Sequence, residues 1–266
     1  IHVGVRVVLF YDELLAEQKP ELALRDGVTG HPVMENGRRA WVDPSNPVVQ
    51  EYNLGIAREL AEMGVDEIQF DYIRFPTKEN VEYGESGFYR QEVPRHKIIT
   101  DFLAQARKEL AAHQILLSID VFGIIAWGRS KDVEMTGQKI EDLATHCDVI
   151  SPMIYPSHFH NPFRGIVDPS ERPYLLVLET CKRFSRLLKN SQVTLRPWIQ
   201  AFPLGTNNFD EEYIFEQLRA LDQSKVRGWL LWSAGTKYDV AWKALAEWND
   251  DSFGEKRLRA NLFLGD

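Results

Sequence analysis

Two carboxylates sit inside short apolar runs, where carboxylates are rare. One is Asp71, in EIQFDYI (Glu67 to Ile73). The other is Asp120, in ILLSIDVFG (Ile115 to Gly123). Side chains alternate along a strand, so Gln69, Asp71 and Ile73 share one face, and Phe70 and Tyr72 the other. In the second run Ser118, Asp120 and Phe122 share a face. The two acids therefore hold comparable places near the ends of neighbouring strands. Strands lie about 4.8 Å apart, so carboxyl groups on a common face stand roughly 5 to 9 Å apart, a range that spans both geometries of two-carboxylate glycoside hydrolysis. In that chemistry one acid stays protonated to protonate a leaving oxygen. The other stays ionised as nucleophile or base. The competing reading is structural: a buried aspartate capped by loop amides or neutralised by Arg74 or Arg6.

The other strand ends are polar and aromatic. Tyr155 closes CDVISPMIY, and His158 follows in the loop. Arg196, Trp198 and Gln200 alternate in TLRPWIQAF. Trp232 and Ser233 lie in RGWLLWSAG. Trp and Tyr offer flat apolar platforms with a polar edge, suited to sugar rings. With seven Trp in the chain, most are expected in the core. Arg6 and Gln200 are placed to hydrogen-bond hydroxyls or to orient a carboxylate, and the alternative for Arg6 is partner to a buried charge. His158 and His160 invite a metal reading. They follow Pro156 in a loop, however, and His2, His31, His96, His113 and His146 complete no set. The expectation is a substrate contact at His158, with no metal and no cofactor. No GxSxG elbow supports acyl chemistry. Cys147 and Cys181 read as buried thiols. In WVDPSNP, Asp43 or Ser45 reads as the cap of the next helix, with Trp41 near the cleft.

The elements that must position these residues alternate regularly. Strand-like runs cover Val3 to Phe10, Glu67 to Ile73, Ile115 to Gly123, Cys147 to Tyr155, Thr194 to Phe202 and Arg227 to Gly235. Helical periods lie between them, at Pro47 to Gly64, Arg95 to His113, Tyr174 to Asn190, Asp210 to Ser224 and Val240 to Trp248. In the first helix Val48, Tyr52, Ile56 and Leu60 form the apolar face. Alternating βα units imply a parallel sheet with right-handed crossovers. No Gly-rich phosphate loop follows a strand, which favours a barrel over a nucleotide-binding sheet. The long loops, Tyr11 to Pro47 and Pro76 to Pro94, follow strands, where such barrels build their sites. No linker or repeat interrupts the series, so residues 1–266 read as one domain. Six strands fall short of the eight of a closed barrel. Two are either hidden in the loops or lie upstream of Ile1.

At 44% hydrophobic and 26% charged, the 266 residues can bury a large core. The net charge of -8 argues against nucleic acid or an anionic membrane surface as partner. No apolar run approaches the length of a membrane span.

Five ordered segments, GVDEIQFDYIRFP, SIDVFG, DVISPMIYPSHF, RPWIQAF and GWLLWSAG, together resemble the bacterial "putative glycoside hydrolase domain" family. The resemblance runs from about Val3 to Tyr238. It implies an α/β fold of the (β/α)8 TIM-barrel type, distantly similar to α-amylases, whose first two βα units are absent from this chain. Asp71 would then end strand four and Asp120 strand five, the places of nucleophile and acid, although α-amylase-like barrels usually carry Glu at the second. The implied activity is metal-independent, retaining hydrolysis of a polysaccharide or oligosaccharide. Asp71 and Asp120 would be catalytic. Arg6, Asp12, Gln69, Arg74, Tyr155, His158, Trp198, Gln200 and Trp232 would bind substrate. A non-catalytic barrel that binds cell-wall glycan is the alternative. The resemblance also implies a secreted or envelope protein.

Overall fold

The computed structural model describes residues 1–26, 29–35, 37–39, 41–77 and 93–248. Its contacts divide the chain into two compact units. One comprises Ile1–Ser151 with Leu187–Thr194, the other Pro152–Arg186 with the chain from Leu195 onward.

In the first unit, β1 (Gly4–Val8), β2 (Glu67–Asp71) and β3 (Leu116–Phe122) pair in parallel. Arg6 aligns with Gln69 and Val8 with Asp71; Gln69 aligns with Ser118 and Phe70 with Ile119. The start of β4 (Val149–Ile154) lies beside β3. The two faces of this sheet differ in kind. Ile68, Phe70, Leu117, Ile119, Val121 and Ile150 form a fully buried apolar face. The alternate positions carry Arg6, Glu67, Gln69, Asp71, Ser118, Asp120 and Ser151, of which all but Arg6 are buried.

The first long helix is α1 (Pro47–Glu62). Its cap is Asn46, whose Oδ1 accepts the Val48 N–H at 2.9 Å, with Pro47 at the first helical position. The expected caps, Asp43 and Ser45, instead bond each other: Asp43 accepts the Ser45 N–H at 2.9 Å and its hydroxyl at 2.7 Å. The expected apolar face is displaced by one residue. Val48 and Tyr52 are exposed, and Val49, Asn53, Leu54, Ala57 and Ala61 are buried. The buried row Val49, Asn53, Ala57, Ala61 is of small residues, which let a helix approach its neighbour closely. Periodicity weighted by hydrophobicity favoured the larger side chains beside them. Gly64 ends the segment at φ 80°, in the left-handed region expected of a helix stop.

α2 (Arg95–Leu110) buries Ile99, Phe102, Leu103, Ala106 and Leu110. Its Phe102 ring packs against Phe10 and Phe70, with centroids 5.3 and 5.9 Å away, which docks the helix on the apolar face of the sheet. Several short elements escaped the sequence reading. The first long loop contains the helix Glu13–Gln18 and a hairpin of Met34–Glu35 with Arg38–Arg39. Two further helices, Ser130–Thr136 and Ile140–Leu143, lie between β3 and β4. Of the second long loop, residues 78–92 lie outside the described residues.

In the second unit the end of β4 pairs in parallel with β5 (Trp198–Gln200), and β5 with β6 (Leu230–Trp232). The expected strand Thr194 to Phe202 is interrupted between Thr194–Leu195 and Trp198–Gln200. Pro197 stands in that gap and has no N–H to give to a ladder. Ile154, Val177, Leu178, Cys181, Ile199, Ile214, Leu218, Leu221 and Ala244 form the core of this unit. They come from the strands and from α3 (Pro173–Leu187), α4 (Glu211–Ser224) and α5 (Asp239–Trp248). Asp210 begins α4 as its cap, accepting the Tyr213 N–H at 3.1 Å. The pairing and the alternation of strands with helices are those of an α/β fold.

Candidate active site

Asp71 is the last residue of β2 and is buried. Its Oδ2 accepts Arg6 Nε at 2.9 Å and also Arg6 Nη2; its Oδ1 accepts the Tyr72 N–H at 2.6 Å. Parallel register makes the Arg6 pairing possible: Arg6 aligns with Gln69, two residues short of Asp71 on the same face. The Nε–Nη2 edge of a guanidinium is a rigid fork that matches a carboxylate. Immediately after Asp71 the chain leaves the sheet. Tyr72 adopts φ 52°, a conformation costly for a bulky residue and concentrated at functional sites. That turn stacks Tyr72 on Tyr11, with centroids 4.8 Å apart, and places it 5.9 Å from the buried Trp41 ring.

Arg74 follows, also buried. It donates to the Phe75 carbonyl at 3.0 Å. Its guanidinium lies 4.4 Å from the Phe122 ring centroid, 4.7 Å from Trp41 and 5.1 Å from Tyr72. These rings offer their negative faces to the cation. The sequence offered Arg6 and Arg74 as alternative partners of Asp71, and the fork that reaches the carboxylate is that of Arg6.

Asp120 lies on β3 and is 1% exposed. The register that pairs Phe70 with Ile119 sets Asp120 across from Asp71. Gln69 Nε2 donates to Asp120 Oδ1 at 2.9 Å and to Ser151 Oγ at 3.3 Å. Gln69 and Asp71 share a face by alternation, so the bond from Gln69 to Asp120 puts both acids on one side of the sheet. Asp71 thus meets a cation and a backbone N–H, and Asp120 accepts a side-chain amide. At the other end of the same face, Glu67 accepts Ser118 Oγ at 2.5 Å and lies 3.0 Å from His2 Nε2. Asp12 has a separate local task. Its Oδ1 accepts the Leu15 N–H at 2.8 Å and caps the helix Glu13–Gln18.

The remaining candidates belong to the second unit. Trp198 and Trp232 are partly exposed and meet edge to face, with centroids 5.7 Å apart. The register aligns Gln200 with Trp232, so Trp198, Gln200 and Trp232 share one face. Tyr155, His158 and Phe202 form a second aromatic group, with centroids 5.3 to 6.0 Å apart. Packing against these rings removes water from one side of His158 and lowers its pKa, which favours the neutral imidazole. Its Nδ1 lies 3.1 Å from Ser157 Oγ. Gln200 is buried and ties down the adjoining loop: its Oε1 accepts the Ser157 N–H at 3.1 Å, and its Nε2 donates to the carbonyls of Phe202 and Leu204 at 2.9 and 3.0 Å. Among the described residues no three His, Cys, Asp or Glu side chains gather as metal ligands.

Sequence reasoning missed the rings of Tyr11 and Phe202 and the buried amide of Gln138. Tyr11 and Phe202 carried a usable signal, since Tyr11 directly follows the expected strand Val3 to Phe10 and Phe202 closes the expected strand Thr194 to Phe202. Gln138 carried none, being a single amide in a polar turn.

A family model described as "Putative glycosyl hydrolase domain" matches residues 1–238. Comparison with curated proteins gave no match. Among solved structures, a hypothetical protein from Ruminiclostridium thermocellum is 44% identical over 47% of this chain and 61% of its own, with a TM-score of 0.39. The chain thus spans less than two thirds of that protein. The PgaB (BpsB) glycoside hydrolase domain from Bordetella bronchiseptica matches 88% of this chain and 70% of its own at 12% identity and TM-score 0.62. An α-galactosidase from Thermus thermophilus matches 86% of this chain and 43% of its own at 16% identity and TM-score 0.51. At these identities the last two establish likeness of fold: the parallel α/β architecture is one that glycoside hydrolases use.

Proposed function

Because this chain belongs to the family of that glycosyl hydrolase domain, we propose that it hydrolyses glycosidic bonds of a polysaccharide or oligosaccharide, with Asp71 and Asp120 as its two carboxylates. In this reading β1 to β6 correspond to the third to eighth strands of a (β/α)8 barrel. Asp71 is the nucleophile. One of its oxygens bonds the anomeric carbon as the bond to the leaving oxygen breaks, and Asp120 gives that oxygen its proton. Water then attacks the same carbon, Asp120 takes the water's proton, and the Asp71 carboxylate leaves with net retention. Trp198, Trp232, Tyr155 and His158 are assigned to sugar contact, as stacking faces and a neutral imidazole.

The observation that carries this reading is the bond from Gln69 to Asp120, which sets both acids on one face of the sheet. Two carboxylates on one face, at the ends of neighbouring strands, are what a division into acid and nucleophile needs. The burial of both acids supports a second reading, a glycan-binding protein in which they are structural. A glycan library incubated with the parent, Asp71→Asn and Asp120→Asn separates the two. Hydrolysis by the parent that is lost in both variants, with binding retained, supports the enzyme. No turnover of any glycan by the parent, with binding equal in all three proteins, supports the binder and ends the catalytic assignment.

A further inference from the structure

Neither the acids nor the aromatic groups account for Gln138. It is fully buried in the link between the helices Ser130–Thr136 and Ile140–Leu143. Its Oε1 accepts the Phe122 N–H at 3.0 Å. Its Nε2 donates to the Asp120 carbonyl at 3.2 Å and to the Ile73 carbonyl at 3.3 Å. These backbone groups belong to the outgoing ends of β2 and β3. β2 ends at Asp71, so the backbone that follows has no ladder to satisfy it, and unpaired buried peptide groups are costly. A side-chain amide presents a donor and an acceptor much as a peptide does. Gln138 therefore extends the pairing across the level of the two acids. The second unit repeats the device: Gln217 Oε1 accepts the Gln200 N–H and Gln217 Nε2 donates to the Gln200 carbonyl, both at 2.9 Å.

Gln138 is itself held. Its N–H donates to Thr136 Oγ1 at 3.1 Å, and the Thr136 carbonyl accepts the Phe75 N–H at 2.8 Å. Between them Gly137 takes φ 78°. A Cβ there would lie 2.9 Å from the Arg95 carbonyl oxygen and 2.9 Å from Ile99 Cγ1, so the residue that delivers Gln138 must be glycine.

We propose that Gln138 is a positioning residue: it braces the ends of β2 and β3 and fixes the placement of Asp120 relative to Asp71. The role rests on the reading of those acids as the catalytic pair, and it is tested on the full chain with Gln138→Met and Gln138→Glu. Misplacement of reacting groups by fractions of an ångström costs turnover more than binding, so Gln138→Met lowers kcat about 10- to 100-fold with KM changed by no more than about twofold. Gln138→Glu keeps the acceptor but lacks the donor when ionised. Burial raises the pKa of the introduced acid, so its kcat recovers as pH falls and the protonated group regains a donor. A merely structural glutamine would shift the melting temperature of both variants and leave the kcat–KM split and the pH profile as in the parent, which overturns the proposal. Should Gln138→Met fail to fold, the pH profile of Gln138→Glu decides alone. A parent that turns over no glycan refutes the catalytic reading by itself. The brace is then judged by amide exchange in Gln138→Met, which lacks the acceptor: faster exchange at Phe122 N–H, with β1 amides unchanged, supports it, and unchanged exchange at Phe122 overturns it.

Discussion

Burial of Asp71 imposes a condition on its neighbours. A buried carboxylate without partners is expensive, and here Arg6 and the Tyr72 N–H supply them. Arg6→Met removes the cation and leaves the backbone amide. Hydrogen bonds to charged groups contribute about 1.5 to 3 kcal/mol each. The fork makes two, and solvent around the exposed Arg6 screens them, so the variant is expected to lose roughly the worth of one such bond in urea unfolding. Arg6→Lys restores charge without the fork and should recover part of the loss. Equal midpoints for the parent and Arg6→Met would show that the pair contributes nothing. The sequence named both arginines, and register decided between them. A residue two places upstream on the adjacent strand reaches the acid, while Arg74, nearer in sequence, is carried past it by the turn at Tyr72 onto the rings of Trp41 and Phe122.

At the scale of elements, the alternation within β2 and β3 was legible as far as Asp71, because a period of two admits only two faces and one of them was apolar in both runs; the expected continuation through Tyr72 and Ile73 is cut off by the turn at Tyr72. The face of α1 was not legible. Val48, Tyr52, Ile56 and Leu60 together form the bulkier, more apolar row, yet the helix buries Val49, Asn53, Ala57 and Ala61. The cap was missed as well. WVDPSNP contains three polar residues able to cap, and only the one directly before Pro47, Asn46, sits where its oxygen meets the Val48 N–H. Asn46→Ala should cost about 1 kcal/mol in denaturant unfolding. Ser45→Ala, which removes a hydroxyl bonded to Asp43 but no helix cap, should leave the helix content seen by circular dichroism unchanged. A larger loss of helix in Ser45→Ala than in Asn46→Ala would reverse the assignment. Strands of two residues, such as Met34–Glu35, and helices of two turns or fewer, such as Ser130–Thr136, are too short for their own periods to emerge, and that is why Gln138 went unseen.

At the scale of the whole molecule, the chain passes between its two units at Ser151–Pro152, Arg186–Leu187 and Thr194–Leu195, and the first passage falls inside β4. Opening one unit therefore strains a strand that the other also uses, and the chain is expected to unfold as one domain. Each unit holds a thiol that can report this. Cys147 lies in the first and Cys181 in the second, both buried, and desolvation pushes both pKa values up to about 12. At pH 8 a thiol with that pKa is only about one part in ten thousand thiolate, and the thiolate is the reactive form. Neither should react with an aromatic disulfide reagent until the protein opens. Under increasing urea, both should then label with one rate constant and one dependence on denaturant, because each exposes its sulfur through the same cooperative transition. Labelling of one cysteine at low urea, well before the other and with a shallower dependence, would show that its unit opens alone and that the chain is two domains.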